Sequence, residues 1–479
     1  MSATATPSFA FPCVIGGKEV EGSGTFPVYY PFTGEPIGTA PSLPREVVDR
    51  ALDLAAAARP QLDRHERAQV LERVAGRIRD ESEDLARLIT WESGLCLADT
   101  RHEVLRAVDV FRFAAGEALR DDGGVFACDT SVNGRPRRAY TVREPVRLVA
   151  AITPFNHPLN QVAHKVAPAI AAGAPMVVKP SEKTPLAGLW LGRAVLEAGW
   201  PEDSLAVVTG DRESILQAML EHPGVEVVSF TGGVGVGHRI ARELGYRRAI
   251  LELGGNDPLL VLRDADLGSA ASLAVGGATK NSGQRCTAVK RVIAADSIAD
   301  ELVDRIEILT ASLRVGDPFD EETDVGTLID DDAAALVERR VLDAVDRGAQ
   351  LRFGGARRGA LLVPPVLDRV PADAELVQEE TFGPAVPVLR AGDLDEALAL
   401  ANDTAYGLSA GVVSNDLAAV TRCIRELRCG TVNVNEVPGY RTELTPFGGV
   451  KSSGLGVKEG VVEAIRSMTN VKLYTLPWP

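Results

Sequence analysis

The sequence has little of what builds disulfide scaffolds, metal clusters or membrane spans. Its six cysteines (Cys13, Cys96, Cys128, Cys286, Cys423 and Cys429) are scattered through 479 residues with no Cys-x-x-Cys pair. A chain of this length makes its own apolar core, so dispersed cysteines point to reduced thiols. The six histidines show no metal-ligand spacing with them, and no metal site is expected. No run of 18 uncharged apolar residues occurs, and the opening MSATATPSFAFP lacks a basic start followed by a long apolar stretch. Neither a membrane span nor a signal peptide is expected, which reads as a cytoplasmic protein. Positive charge is in deficit too. A formal net charge of −15 and a pI near 5.1 argue against nucleic-acid or anionic-membrane partners. That balance still allows a local basic pocket for a small anion.

What is present suits a soluble α/β protein of more than one domain, since single cores stop growing at about 250–300 residues. Short strands broken by Gly and Pro turns are predicted from Val14 to Gly38, then four helices between Pro44 and Leu119 from apolar spacing of helical period. The stretch 121–145 mixes turn residues with an alternating strand and reads as a projecting hairpin whose edge needs a partner. From Val146 the runs VRLVAAITP, MVVKP, LAVVTG and VEVVSFTG are continuously apolar, as parallel strands buried on both faces are. Helical stretches between them predict right-handed crossovers and an open doubly wound sheet, with ligands beyond the carboxyl ends of its strands. A second α/β block follows Gly254, and the tail from Val461 reads as a short helix and a last strand.

Most of the chemistry lies between Leu251 and Arg291. LELGGNDP (Leu251–Pro258) carries Glu252 at the end of an apolar run, and NSGQRCTAVKR (Asn281–Arg291) carries Cys286 beside a Ser-Gly turn. A thiol attacks as thiolate and favours a partly open, electropositive surrounding. A thioester then needs a base to activate water at the same carbon. Taken singly, each residue has a plainer reading: Cys286 as a buried small hydrophobe, Glu252 as a strand-end carboxylate, Asn156 as a turn former.

Further motifs follow in order: PFNHP (Pro154–Pro158), KPSEKTP (Lys179–Pro185), FTG (Phe230–Gly232), EETFGP (Glu379–Pro384) and PFGGVKSSG (Pro446–Gly454). With LELGG and GQRC they make the chain resemble the aldehyde dehydrogenase superfamily over nearly its whole length. The resemblance implies two open doubly wound α/β domains plus a β-hairpin oligomerisation arm. A discontinuous dinucleotide-binding domain would span 1–120 and 146–253, a catalytic domain 254–455, and the arm 121–145 and 460–479, in a homodimer or homotetramer. It makes Cys286 the nucleophile, Glu252 the base for thioester hydrolysis, and Asn156 an oxyanion donor together with the Cys286 backbone N–H.

For the cofactor, the resemblance assigns Lys179 and Glu182 to the adenosine ribose, Glu380 to the nicotinamide ribose and Phe382 to the nicotinamide ring, with Phe155 and Leu253 completing the set. Gly232, Gly233 and Gly237 in GGVGVG form a pyrophosphate seat at a helix N-terminus. That run is not a strict G-x-G-x-x-G, and Gly233 stands where the family usually has serine. A carboxylate at Glu182 accepts from both ribose hydroxyls and repels a 2′-phosphate, so NAD is favoured over NADP.

Three basic side chains bear on the aldehyde: Arg285 before the nucleophile, His157 after Asn156, and Arg106 in the apolar stripe with Val110 and Phe113. Arg106 reads equally as a partner of Glu103 one turn back or as a snorkelling stem. Together with Arg441, a weaker fourth candidate, they suggest an anion socket, since guanidinium forks match phosphonate oxygens. The combination is similar to phosphonoacetaldehyde dehydrogenases within the superfamily and implies a small phosphonate-bearing aldehyde, phosphonoacetaldehyde or phosphonoformaldehyde. Alternatives are a phosphorylated or hydroxylated aldehyde (glyceraldehyde 3-phosphate, lactaldehyde, glycolaldehyde) and, in another class, a catalytically silent structural relative. Glu252 disfavours a coenzyme-A-acylating enzyme.

Overall fold

A computed structural model describes residues 7–457 and 459–478. The stretch before Val14, which reads from the sequence as a loose tail, forms a short strand at Phe9–Ala10 and begins another at Cys13, while residues 1–6 lie outside the described ones. Short strands at the start lead into helices α1 (Arg45–Ala57), α2 (Arg64–Asp80), α3 (Ser82–Ser93) and α4 (Leu97–Ala118), the four that the apolar spacing predicts. Asp63 starts α2 through a capping box with Glu66, and Gly94 stops α3 in the left-handed region at φ 70°.

The first sheet holds β1 (Val149–Ile152), β2 (Met176–Lys179), β3 (Leu205–Val207), β4 (Val227–Thr231) and β5 (Arg248–Glu252), in the order β3-β2-β1-β4-β5. All its pairings are parallel. Helices α5 (Pro158–Ala172), α6 (Leu186–Glu197), α7 (Arg212–Glu221) and α8 (Val234–Glu243) connect the strands. Every residue of β1 to β4 is buried, which is why these strands read as unbroken apolar runs.

The second sheet has seven strands: β6 (Pro258–Val261), β7 (Arg291–Ala295), β8 (Gln350–Phe353), β9 (Val366–Asp368), β10 (Val386–Ala391), β11 (Ser409–Val413) and β12 (Thr431–Val434). Their order is β8-β9-β10-β7-β6-β11-β12, parallel except for β8 at one edge. Helix α9 (Leu267–Thr279) links β6 to the segment before β7. The fold is therefore α/β with two open doubly wound sheets.

The predicted hairpin is present as strands Val125–Ala127 and Arg137–Pro145. Its long strand also pairs antiparallel with Thr469–Pro477, where Tyr140 and Tyr474 stack at 5.3 Å. Val471, Leu473, Tyr474 and Leu476 of that last strand are exposed. The short helix before it, Val461–Ser467, buries Val461 in the core of the first sheet. Among the described residues no helix is long and apolar enough to cross a membrane, and no cluster of three or more His, Cys, Asp or Glu could hold a metal.

Candidate active site

Four of the first sheet's strands bring their carboxyl ends to one edge. β1 runs on into Phe155, Asn156 and His157, and Pro158 at the first turn of α5 stops the excursion with its fixed φ. β2 ends on Lys179, β4 leads into Gly232 and Gly233, and β5 ends on Glu252. Opposite them stands the segment between α9 and β7. There Asn281, Ser282 and Gly283 take left-handed φ angles of 60°, 51° and 69° in succession. Side chains other than glycine resist that region by roughly 1–2 kcal/mol per residue. The turn is held by other parts of the chain: the Asn281 backbone N–H donates to Asp99 Oδ2 at 2.7 Å, and its Nδ2 donates to Asn156 O at 2.9 Å. A Cβ on Gly283 would lie 2.2 Å from the Gly383 carbonyl carbon, so that position admits no side chain.

The turn delivers Gln284, Arg285 and Cys286. Asn156 Nδ2 donates to Gln284 O at 2.8 Å, which uses one of its two N–H bonds. The glycines of LELGG let the motifs touch. A Cβ on Gly255 would lie 2.4 Å from Cys286 O and one on Gly254 would lie 2.2 Å from Glu380 Oε2, while Gly255 N–H donates to Glu380 Oε1 at 3.0 Å. A cavity of about 480 Å³ is lined by Asn156, Glu252 and Cys286, together with Phe155, Gly232, Gly233, Leu253, Glu380 and Phe382. Phe155 and Phe382 meet edge to face at 5.8 Å.

The surrounding of Cys286 differs from the electropositive one expected. Burial first, then Asp257 and Glu380, push the thiol up to about 12, against a weaker pull from Lys290 and Arg441. Burial also raises Glu380. The reason is spatial: Lys290 spends its ammonium on Arg285 O at 2.6 Å, and Arg285 faces Asp99.

Lys179 and Glu182 sit apart from that cavity. Buried Lys179 donates to Glu182 Oε2 at 3.2 Å, and Arg212 lies 3.7 Å from Glu182 Oε1. Burial works against the Glu182 charge, but Lys179 and Arg212 outweigh it and hold the carboxyl below its ordinary range. Lys183 pairs with Asp330 instead. Glu182 lines a neighbouring cavity of about 560 Å³ that shares Lys183, Ile329 and Asp330 with the first. Gly237 lets α8 rest on Leu253, whose Cδ2 would lie 2.4 Å from a Cβ there. At the start of α8, Gly233 lines the cavity and supplies no side-chain cap, so the helix's first N–H groups have no partner within the helix.

Arg106, His157, Arg285 and Arg441 lie within electrostatic reach of one another through Arg106 and Glu443, although none of them lines the 480 Å³ cavity. The partner considered for Arg106 is corrected. Its Nε donates to Glu443 Oε1 at 2.6 Å, while Glu103 accepts the Leu159 and Asn160 backbone N–H groups at 2.9 and 3.0 Å. A buried carboxylate at a helix N-terminus gains two donors and the helix dipole, which outcompetes one guanidinium on its own helix. Glu103 also stands 3.5 Å from His157 Nδ1. Glu443 receives His164 Nε2 at 2.5 Å and has Arg441 at 3.9 Å. Burial alone would raise its carboxyl, but His164, Arg106 and Arg441 hold it well below the usual range. Arg441 lies 4.0 Å over the Phe447 ring. Arg285 Nη2 donates to Gly277 O at 2.8 Å, whereas Arg285 Nε and Arg441 Nη1 are buried without a hydrogen-bond partner among the described residues.

Sequence reasoning missed Glu443 and Asp99. Glu443 sits two residues from Arg441 and resembles half of a surface ion pair. Asp99, inside an ordinary helical pattern, carries no local mark of its hydrogen bond to Asn281.

A thiol, a carboxylate and an amide thus line one cleft beyond the carboxyl ends of the first sheet's strands. The family model for the aldehyde dehydrogenase family matches residues 19–474, and the chain belongs to that family. It is thus an NAD(P)-dependent aldehyde dehydrogenase. It is 40% identical over 412 residues to 3-sulfolactaldehyde dehydrogenase of Priestia megaterium, covering 86% of each chain. It is 35% identical over 455 residues to sulfoacetaldehyde dehydrogenase of Neptuniibacter caesariensis, covering 94% of this chain and 99% of that one. Among solved structures, the NADP-dependent glyceraldehyde-3-phosphate dehydrogenase of Bacillus halodurans C-125, complexed with NADP, superimposes with a TM-score of 0.96 at 37% identity, over 98% of this chain and 100% of that one.

Proposed function

We propose that the protein oxidises a small aldehyde bearing a tetrahedral oxyanion to its carboxylate, through a thiohemiacetal and a thioester on Cys286, with NAD as the preferred acceptor. One observation carries the substrate class: Arg285 Nε and Arg441 Nη1, on side chains within electrostatic reach of Cys286, are buried without acceptors among the described residues, and buried donors left so are costly unless a ligand meets them. Phosphonoacetaldehyde and phosphonoformaldehyde are the substrates that the sequence pattern favours. A sulfonated aldehyde is the second reading, supported by the likeness to the sulfolactaldehyde and sulfoacetaldehyde enzymes.

The thiol must lose its proton to solvent before attack, which leaves the Glu252 carboxylate ionised for the hydrolytic step. Sulfur adds to the aldehyde carbon, and the resulting oxyanion takes the second N–H of Asn156 and the Cys286 backbone N–H. The nicotinamide, when bound, supplies the acceptor for the hydride. Glu252 then takes a proton from water, which attacks the thioester carbon and releases the carboxylate and the thiol. The residues present fit a dinucleotide: the uncapped start of α8, the Glu182 carboxylate and the Phe382 ring lie along two joined cavities. Gly232, Gly233 and Gly237 would approach the pyrophosphate, Lys179 and Glu182 the adenosine ribose, Glu380 the second ribose, with Phe155 and Leu253 along the wall.

The division into two sheets supports domain limits of 1–120 and 146–253 for a dinucleotide-binding domain and 254–455 for a catalytic domain. The exposed apolar strand at 469–477 supports a homo-oligomer through the arm, as a dimer or tetramer. The test is a panel of phosphonoacetaldehyde, sulfoacetaldehyde, glyceraldehyde 3-phosphate, lactaldehyde and propanal, read by NADH absorbance with wild type and Arg285→Ala. Selective loss on the anionic aldehydes is expected. Equal loss on propanal would reduce Arg285 to a structural role, and no NADH with any aldehyde would revive the silent-relative reading.

A further inference from the structure

Of the two oxyanion donors named above, one is the Asn156 side chain and the other a backbone N–H. The Cys286 N–H donates to no acceptor among the described residues, although most backbone donors inside a fold find a partner. The other side of the same peptide is fully engaged. Its carbonyl, Arg285 O, accepts the Ala288 N–H at 3.2 Å and the Lys290 ammonium at 2.6 Å, which fills both lone pairs. The peptide before it is held as well, by Asn156 on Gln284 O. Two successive peptides leading to the sulfur are therefore fixed from outside by side chains.

An ammonium is more than this carbonyl needs, since the Ala288 N–H already serves it. Lys290 is 4% exposed, and burying a charge is unfavourable unless other charges meet it. Burial and, more weakly, Arg285 work against its charge, while Glu380 and Asp257 support it. Lys290 and Asp257 immediately precede β7 and β6, which pair from Arg291 and Pro258 onward. The Lys290 N–H donates to Asp257 O at 3.0 Å, and its ammonium faces the Phe382 ring at 5.2 Å. A costly charge has thus been placed on one particular carbonyl.

We infer, on the footing of the function proposed above, that Lys290 is a positioning residue of the oxyanion site. Its ammonium holds the Arg285–Cys286 peptide with the N–H turned toward the reacting carbon and strengthens that N–H as a donor. Pull on a carbonyl oxygen draws electron density from the amide nitrogen, and hydrogen bonds on one peptide reinforce each other. As sulfur bonds to the aldehyde carbon, the carbonyl π pair moves onto oxygen and is met by this donor. When the C=O bond re-forms, hydride leaves that carbon for the bound nicotinamide. The same donor meets a second oxyanion when water adds to the thioester. The 2.6 Å contact, the peptide's own span and a donor distance of about 2.9 Å leave ammonium and oxyanion roughly 7 Å apart. At an effective dielectric of about 20, their attraction corresponds to about fiftyfold in rate.

The test separates sulfur from oxyanion. Iodoacetamide reports the thiolate alone, because displacement of iodide forms no oxyanion, whereas the NADH burst reports both. In Lys290→Met, alkylation should fall by about tenfold and the burst, measured with the fastest aldehyde of the panel above, by at least about a hundredfold. Lys290→Met/Asp257→Asn removes a positive and a negative charge together, a replacement that buried pairs tolerate better than loss of one member. There alkylation should return to the wild-type rate or above it, because Asp257 raises the thiol more than Lys290 lowers it. The burst should stay at least about thirtyfold low. Equal losses of alkylation and burst in Lys290→Met, or a burst that recovers with alkylation in the double variant, overturn the inference and leave Lys290 acting on sulfur alone. If the single variant does not fold, the double variant decides. A wild-type enzyme that makes no NADH from any aldehyde overturns the assignment of Cys286 itself, whereas a burst that Lys290→Met leaves intact overturns only the role of Lys290.

Discussion

The thiol of Cys286 offers the most direct test of the site's electrostatics. Burial and the carboxylates of Asp257 and Glu380 lift it from 9.0 to about 12, and at about 1.36 kcal/mol per pKa unit this disfavours the thiolate by roughly 4 kcal/mol. Its thiolate fraction at neutral pH is on the order of 10⁻⁵, about a thousandfold below that of an ordinary thiol. A more basic thiolate is also a better nucleophile, with a Brønsted slope of about 0.4–0.5, which returns roughly 1.2–1.5 decades. The free enzyme's Cys286 should therefore be alkylated by iodoacetamide some 30–60-fold more slowly than an accessible cysteine. The rate should climb about tenfold per pH unit from 7 to 10 without a plateau. Peptide-resolved mass spectrometry gives both numbers in one sample, with Cys128 and Cys429, half-exposed like Cys286 itself, as internal references. A plateau below about pH 8.5, or Cys286 reacting fastest at neutral pH, would refute this account and restore an electropositive site.

Glu252→Gln should retain a first burst of NADH and lose steady-state turnover by at least about a hundredfold, measured by stopped flow, because thioester hydrolysis lacks its base; an absent burst would assign Glu252 to thiol activation. Glu182→Gln should shift the ratio of kcat/KM for NADP over NAD upward by about tenfold or more, since a like-charge repulsion against the 2′-phosphate is removed; no shift would place the ribose elsewhere. Gly283→Ala should lower the melting temperature and kcat together, with a cost of at least about 1 kcal/mol from the left-handed backbone before the collision with Gly383 is counted; an unchanged enzyme would mean the turn is soft.

How much was legible follows from what each feature depends on. The strands from Val149 to Thr231 could be read because burial on both faces turns them into unbroken apolar runs. The four helices before residue 119 announced themselves by period alone. Cys286, Glu252 and Asn156 sat in recognisable motifs, and the cavity does bring them together. The partner of Arg106 could not be read, because Glu443 lies 337 positions away and local spacing offered Glu103. The raised thiol was also hidden: Arg285 and Lys290 flank Cys286 in sequence and suggest positive charge. In space they answer to Asp99 and to a backbone carbonyl, while Asp257 and Glu380 arrive from distant segments.

The hydrogen bond from Asn281 to Asp99 joins residues 182 positions apart. The reactive sulfur hangs from a backbone bend that its own segment has no reason to adopt unaided. Without the docked helical layer that carries Asp99, the loop would relax and the sulfur would be one more unremarkable thiol. Competence, meaning the sulfur gathered with an amide donor and a carboxylate around one cavity, is in this sense withheld until the chain has closed on itself.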